Sequence, residues 1–88
     1  MSGNIGGRVG FGKWLHKTRL AQGISQSDLS VAVGFSATSG QISRYENGLM
    51  APNDLVLWGL LEALGMLSEW EKWCNKLNIP PNVREYHG

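Results

Sequence analysis

Apolar residues recur in helical steps along most of the chain, and no stretch alternates in the two-residue step of a strand. Phe11 and Leu15, followed by Leu20 or Ala21, mark a first helix with Lys13, Lys17 and Arg19 interleaved, and Gly23 stops it. Ser25 caps a second helix, with Asp28 three residues on to close a capping box. Leu29, Ala32 and Val33 supply its buried side, and Gly34 ends it. Two turns of helix are not stable alone, so packing must hold this segment. Phe35-Ser36-Ala37-Thr38-Ser39-Gly40 is a turn of small and polar residues. The spacing then predicts a third helix over Ser39–Glu46, with Ile42 and Tyr45 inward and Asn47-Gly48 as its stop. Asn53 and Asp54 open a fourth helix whose stripe is Leu57, Leu60, Leu61 and Leu64. Ser68 with Glu71 predicts a capping box for a fifth, about Glu69–Leu77, with Trp70, Trp73, Cys74 and Leu77 on one side. Pro80-Pro81 ends helical structure, which leaves Asn78–Gly88 as an extended tail. Met1–Gly10 holds four glycines and no apolar period, and reads as a flexible arm. The expected architecture is all-α: an arm at 1–10, a helical domain at 11–67, and a C-terminal helix and tail at 68–88.

At 88 residues the chain makes one domain with a modest core, and 42% apolar residues suffice to build it. A single cysteine, Cys74, excludes an internal disulfide and a thiolate zinc cluster. No apolar run reaches the length of a membrane span, since Glu62 interrupts Leu55–Leu67, and the N-terminus lacks a signal-peptide core. The net charge of +1 gives no bulk reason to bind nucleic acid, but its distribution is uneven. Residues 1–50 set Arg8, Lys13, Lys17, Arg19 and Arg44 against Asp28 and Glu46. Residues 51–88 set Lys72, Lys76 and Arg84 against Asp54, Glu62, Glu69, Glu71 and Glu85. A basic front and an acidic back suggest that one face meets an anion.

No enzymatic constellation emerges. The serines have no histidine and acid placed to converge on them, and His16 reads as a surface histidine of the first helix. His16 and His87 lack metal-ligand spacing, the glycines form no phosphate loop, and no cofactor is implied. The informative stretch is Gly23–Gly48, two short helices joined by a small-residue turn. In such a pair the first helix crosses the DNA backbone while the second enters the major groove. The second helix would carry Ser39, Gly40, Gln41, Ser43 and Arg44 outward, a polar set free of acids.

The run from Leu15 to Leu67 resembles the Cro/phage-repressor (Xre-type) helix-turn-helix family. The resemblance rests on Arg19, then Gly23-Ile24-Ser25-Gln26 with Leu29, then Gly34, then Ile42-Ser43-Arg44-Tyr45-Glu46-Asn47-Gly48, then Pro52, Leu60 and Ala63-Leu64-Gly65. The chain departs from the pattern in two places. It has two extra residues between Gly34 and Ile42, within Phe35–Gly40, and it has Ser30 where the family often has Ala. The insertion leaves the start of the recognition helix open by a residue or two.

The resemblance implies a DNA-binding regulator, prokaryotic or phage-encoded and cytoplasmic. By it, Ser39, Gly40, Gln41 and Arg44 face base edges, with Gln suited to adenine and Arg to guanine. Gln26, Thr38, Ser43 and Asn47 are expected to hold the DNA backbone. By the same resemblance Arg19 and Glu46 are expected to form an internal ion pair. Lys13 and Lys17, with Arg8 from the arm, are further candidates for phosphate contacts. The family also implies a dimer on paired half-sites. Four tryptophans exceed what a small core is expected to bury, so Leu55, Trp58, Trp70 and Trp73 are the expected dimer contacts. The alternative is an antitoxin or controller-type protein whose Trp-rich back half binds a protein partner.

Overall fold

The computed structural model describes residues 3–80, with side chains from residue 6 onward. Five α-helices follow one another: α1 Gly3–Ala21, α2 Gln26–Ala32, α3 Ser39–Glu46, α4 Asp54–Ala63 and α5 Trp70–Leu77. A single 3₁₀ turn, Leu67–Glu69, leads into α5. No strand occurs among the described residues. One core runs through all five helices, from Phe11 and Leu15 through Leu29, Ile42, Leu57, Leu60 and Leu61 to Trp70, Cys74 and Leu77. The C-terminal helix therefore belongs to the same body as residues 11–67.

The expected arm is the first departure. Residues 3–10 are helical and continuous with the rest of α1, while residues 1 and 2 lie outside the described part. The glycines that suggested flexibility serve close packing instead. A Cβ at Gly7 would collide with the carbonyl oxygen of Lys76 in α5, and one at Gly12 with the carbonyl of Tyr45 in α3. Glycine in a helix costs about 0.5–1 kcal/mol relative to alanine. Here that cost permits backbone-to-backbone approach of α1 to two neighbours. Arg8 adds a tie from α1, donating from Nε to the Gly48 carbonyl at 2.9 Å.

The buried stripe of α1 is Phe11, Leu15 and Arg19, in steps of four, while Leu20 and Ala21 face solvent. On α2, Leu29 and Ser30 are buried, Val33 is half-buried, and Ala32 is exposed, contrary to expectation. The anticipated Ser25–Asp28 capping box forms: Asp28 N donates to Ser25 Oγ at 2.9 Å and Ser25 N to Asp28 Oδ2 at 3.3 Å. Asn53 caps α4 through Val56 N at 2.9 Å. Ser68 caps nothing, because it sits inside the 3₁₀ turn, and α5 starts without a side-chain cap.

The tryptophans supply the second departure. Trp70 and Trp73 are 2% and 4% exposed, so they are core residues and not available as dimer contacts. Aromatic partners on α1 and α4 account for their burial. Trp73 packs edge-on against Phe11 at 5.3 Å between ring centroids and meets Trp14 at 5.4 Å. Trp70 packs edge-on against Trp58 of α4 at 5.2 Å. Among the four expected dimer contacts, Leu55 is exposed and Trp58 half-buried. Of the expected extended tail, Asn78 is left-handed and Ile79 packs on the core, whereas residues 81–88 lie outside the described part.

Candidate nucleic-acid interface

The third helix is anchored by Ile42 and Tyr45, both buried, and held from below by α1 and from the side by α2. Its start is fixed by a capping box. Gln41 N donates to Thr38 Oγ1 at 3.1 Å, and Thr38 N donates to Gln41 Oε1 at 2.8 Å. Thr38 is thus the N-cap, and the recognition helix begins at Ser39 as the sequence suggests.

The two extra residues are taken up before that cap. Gly34 and Phe35 both adopt left-handed backbone, with φ of 65° and 63°. Glycine takes this conformation freely, while for Phe35 it costs about 1–2 kcal/mol. Hydrogen bonds stabilise the turn: Phe35 N donates to the Ser30 carbonyl at 2.9 Å, and Ser36 Oγ to the Val33 carbonyl at 2.9 Å. The wider loop turns the Ala37 carbonyl inward, where Ser30 Oγ donates to it at 2.8 Å in a buried bond. An alanine at position 30 would leave that carbonyl unpaired. Ser30→Ala is expected to destabilise the protein by about 1–3 kcal/mol, read by denaturant unfolding. A change near zero would show that the bond contributes nothing.

Around this scaffold α3 presents its polar side. Gly40, Arg44 and Asn47 are exposed, and Ser39, Gln41 and Ser43 are half-buried. The acid at its end, Glu46, is withdrawn, with a side chain only 4% exposed. Arg19 Nε donates to Glu46 Oε2 at 2.6 Å and Arg19 Nη2 to Oε1 at 3.0 Å, while Arg19 Nη1 donates to the Ile24 carbonyl at 2.8 Å. The internal ion pair expected of Arg19 and Glu46 is present and bidentate. Burial by itself would push the Glu46 carboxyl up. Hydrogen bonds from Arg19, His16 and Gln26 outweigh that and hold it below the usual carboxylate range.

Two further residues join this pair. Gln26, expected at a phosphate, donates from Nε2 to Glu46 Oε1 at 3.0 Å. His16 Nδ1 stands 3.0 Å from the same oxygen. His16 was legible only as a surface histidine. Its spacing of three from Arg19 is the one hint that both could reach a common carboxylate.

The remaining sequence candidates divide. Ser43 and Asn47 are tied to each other, with Asn47 Nδ2 donating to the Ser43 carbonyl at 2.8 Å. Gln41 commits one lone pair of its oxygen to the cap, and its amide N–H groups remain for a base edge. Lys13 lines a recess with His16, Gln26, Glu46 and Asn47. Lys17 lines a different and more apolar one with Trp14, Thr18, Ala21, Gln22 and Met66. The structure thus brings Lys13, and not Lys17, to the junction of α1, α2 and α3. Among the described residues, no cluster of His, Cys, Asp and Glu could hold a metal ion, and no helix is long and apolar enough to cross a membrane.

No curated protein and no solved structure shows significant similarity to the chain. A family model described as helix-turn-helix matches residues 15–70, from the middle of α1 to the first residue of α5. That span contains the capped helix pair, the Arg19–Glu46 clasp and the Leu60–Leu64 stripe. The chain belongs to the Cro/Xre-type helix-turn-helix family of DNA-binding transcriptional regulators.

Proposed function

We propose that the protein is a sequence-specific repressor that binds a two-fold operator as a dimer and acts by occupancy, with its own promoter as a natural target. The observation that carries this reading is the outer side of α3. It is polar, bears Arg44 exposed, and has its only acid turned inward and neutralised. Ser39, Gly40, Gln41 and Arg44 face the base edges. Arg44 suits the two acceptors of a guanine. Gln41 acts chiefly as a donor while its oxygen is held in the cap, which favours base acceptors over the bidentate adenine pairing. Thr38, Ser43 and Asn47 lie along the backbone together with Gln26, Lys13 and Lys17, setting register without reading sequence.

Leu55, half-buried Trp58 and the acidic back half are the remaining candidates for the contact between two copies. Half-sites would then lie about one helical turn, roughly 34 Å, apart. The burial of Trp70 and Trp73 removes the main anchors from the alternative, an antitoxin or controller protein holding a partner by its Trp-rich half.

A gel shift against DNA upstream of the protein's own gene, at two salt concentrations, tests this reading. Arg44→Ala is expected to weaken binding to the cognate site by about 1–3 kcal/mol and to leave non-specific duplex almost unaffected. An equal loss on all DNA would reassign Arg44 to a phosphate.

A further inference from the structure

The recess at the junction of α1, α2 and α3 contains more than the family pattern requires. It measures about 300 Å³ and is lined by Lys13, His16, Gln26, Glu46 and Asn47. Glu46 is its only acid among the described residues, and both carboxylate oxygens are already met by Arg19. The open groups are a lysine, an imidazole and an amide. The imidazole side chain is 53% exposed.

Two contacts bear on which tautomer that imidazole takes. His16 Nδ1 lies 3.0 Å from Glu46 Oε1 and 3.3 Å from Arg19 Nη2. It cannot accept from the guanidinium and donate to the carboxylate with the same atom. Glu46 stays ionised next to Arg19, and a hydrogen on Nδ1 aimed at Oε1 avoids setting two lone pairs 3.0 Å apart, which favours that tautomer. In the neutral ring Nε2 then bears a lone pair, which would repel a phosphate oxygen. It becomes a donor only when the ring takes up a second proton.

We propose that His16 is a further DNA-backbone contact, and that its Nε2 receives a phosphate oxygen in the recess with uptake of one proton from solvent. This rests on the DNA-binding reading above. The ring faces two cations, Lys13 and Arg19 of α1, and one carboxylate, Glu46 of α3, with Gln26 and Asn47 as neutral neighbours. A phosphate oxygen opposite Nε2 supplies the anion that a doubly protonated ring needs in that company. In the bound state Nδ1–H donates to Glu46 and Nε2–H donates to the phosphate. Gln26 contributes to the same phosphate with the second hydrogen of its Nε2, the first remaining on Glu46. Glu46, by turning the imidazole, positions His16 for the backbone.

The test uses the full chain and a short mixed-sequence duplex, because phosphate contacts do not depend on sequence. Affinity is measured against salt at about pH 5.5 and about pH 8, either side of the ordinary histidine range. Wild type is expected to bind more tightly at the lower pH, by up to about tenfold per pH unit for one linked proton. Its log K against log salt slope is expected to be steeper there by about 0.9. His16→Gln is expected to lose both differences, and His87→Gln to keep them. Circular dichroism checks that His16→Gln is folded, which the exposed ring and the intact Arg19 clasp favour. Wild-type binding that does not respond to pH, or a response that survives His16→Gln, overturns the role of His16 and leaves the regulator reading standing. A wild type that binds no duplex at either pH overturns both.

Discussion

Glu46→Gln is expected to destabilise the fold by about 3–5 kcal/mol, the cost of removing one partner from a buried ion pair. The side chains of Arg19 and Glu46 are 8% and 4% exposed, so solvent offers the stranded guanidinium little compensation. The substitution keeps the shape but replaces an acceptor oxygen by an amide that points hydrogens at other donors. Arg19, His16 and Gln26 all lose part of their partner at once. On a domain whose whole stability is of order 5–10 kcal/mol, this leaves a marginal fold. Denaturant unfolding followed by circular dichroism measures it. A loss below about half a kcal/mol is what an exposed surface pair would give, and would reject the buried clasp. Replacing Arg19 and Glu46 together with apolar residues of similar volume is expected to recover much of the loss, since the stranded charge is then gone.

The same clasp sets an acid limit. The folded Glu46 carboxyl ionises below the ordinary glutamate value of 4.5, so its contribution is complete above that value. It is lost as pH falls through the lower, folded value. Stability measured from neutral into acid is expected to fall less steeply there in Glu46→Gln than in wild type, because the variant has no such proton to bind.

Local rules made the helix pair readable. Ser25 with Asp28 is a signal complete within four residues, and the run Ile42–Gly48 names the recognition helix and the acid that closes it. The Arg19–Glu46 pair was legible because the resemblance supplied a contact that spacing alone does not. What escaped the sequence was decided by distant partners. Gly7 and Gly12 look like flexibility until Lys76 and Tyr45 present carbonyls to them. Ser30 looks like a neutral exchange for alanine until the widened turn brings the Ala37 carbonyl to it. Gln26 and His16 reach Glu46 across 20 and 30 residues, and no periodicity encodes that meeting. The tryptophans were misjudged for a related reason. Four tryptophans looked like more than so small a core could bury, whereas Trp70 and Trp73 find ring partners on other helices, at Trp58, Phe11 and Trp14.

That correction makes a second strong expectation, on Trp73. The ring closes an aromatic cluster between α1 and α5, touching Phe11 at 5.3 Å and Trp14 at 5.4 Å. Lys72 Nζ lies over it at 5.1 Å from the centroid. Trp73→Ala is expected to cost about 3–5 kcal/mol, as for other buried aromatic truncations. The loss should fall toward the lower end, because the buried Trp73 Nε1–H has no acceptor among the described residues and its removal relieves an unmet donor. Trp73→Phe is therefore expected to be much milder, retaining ring contact with Phe11 while deleting that donor. Unfolding curves for both variants, beside light scattering at matched concentration, separate the core role from an interface role. A core residue lowers the unfolding midpoint at every protein concentration. An interface residue would leave the monomer's unfolding unchanged and shift only the self-association, and that result would return Trp73 to the surface.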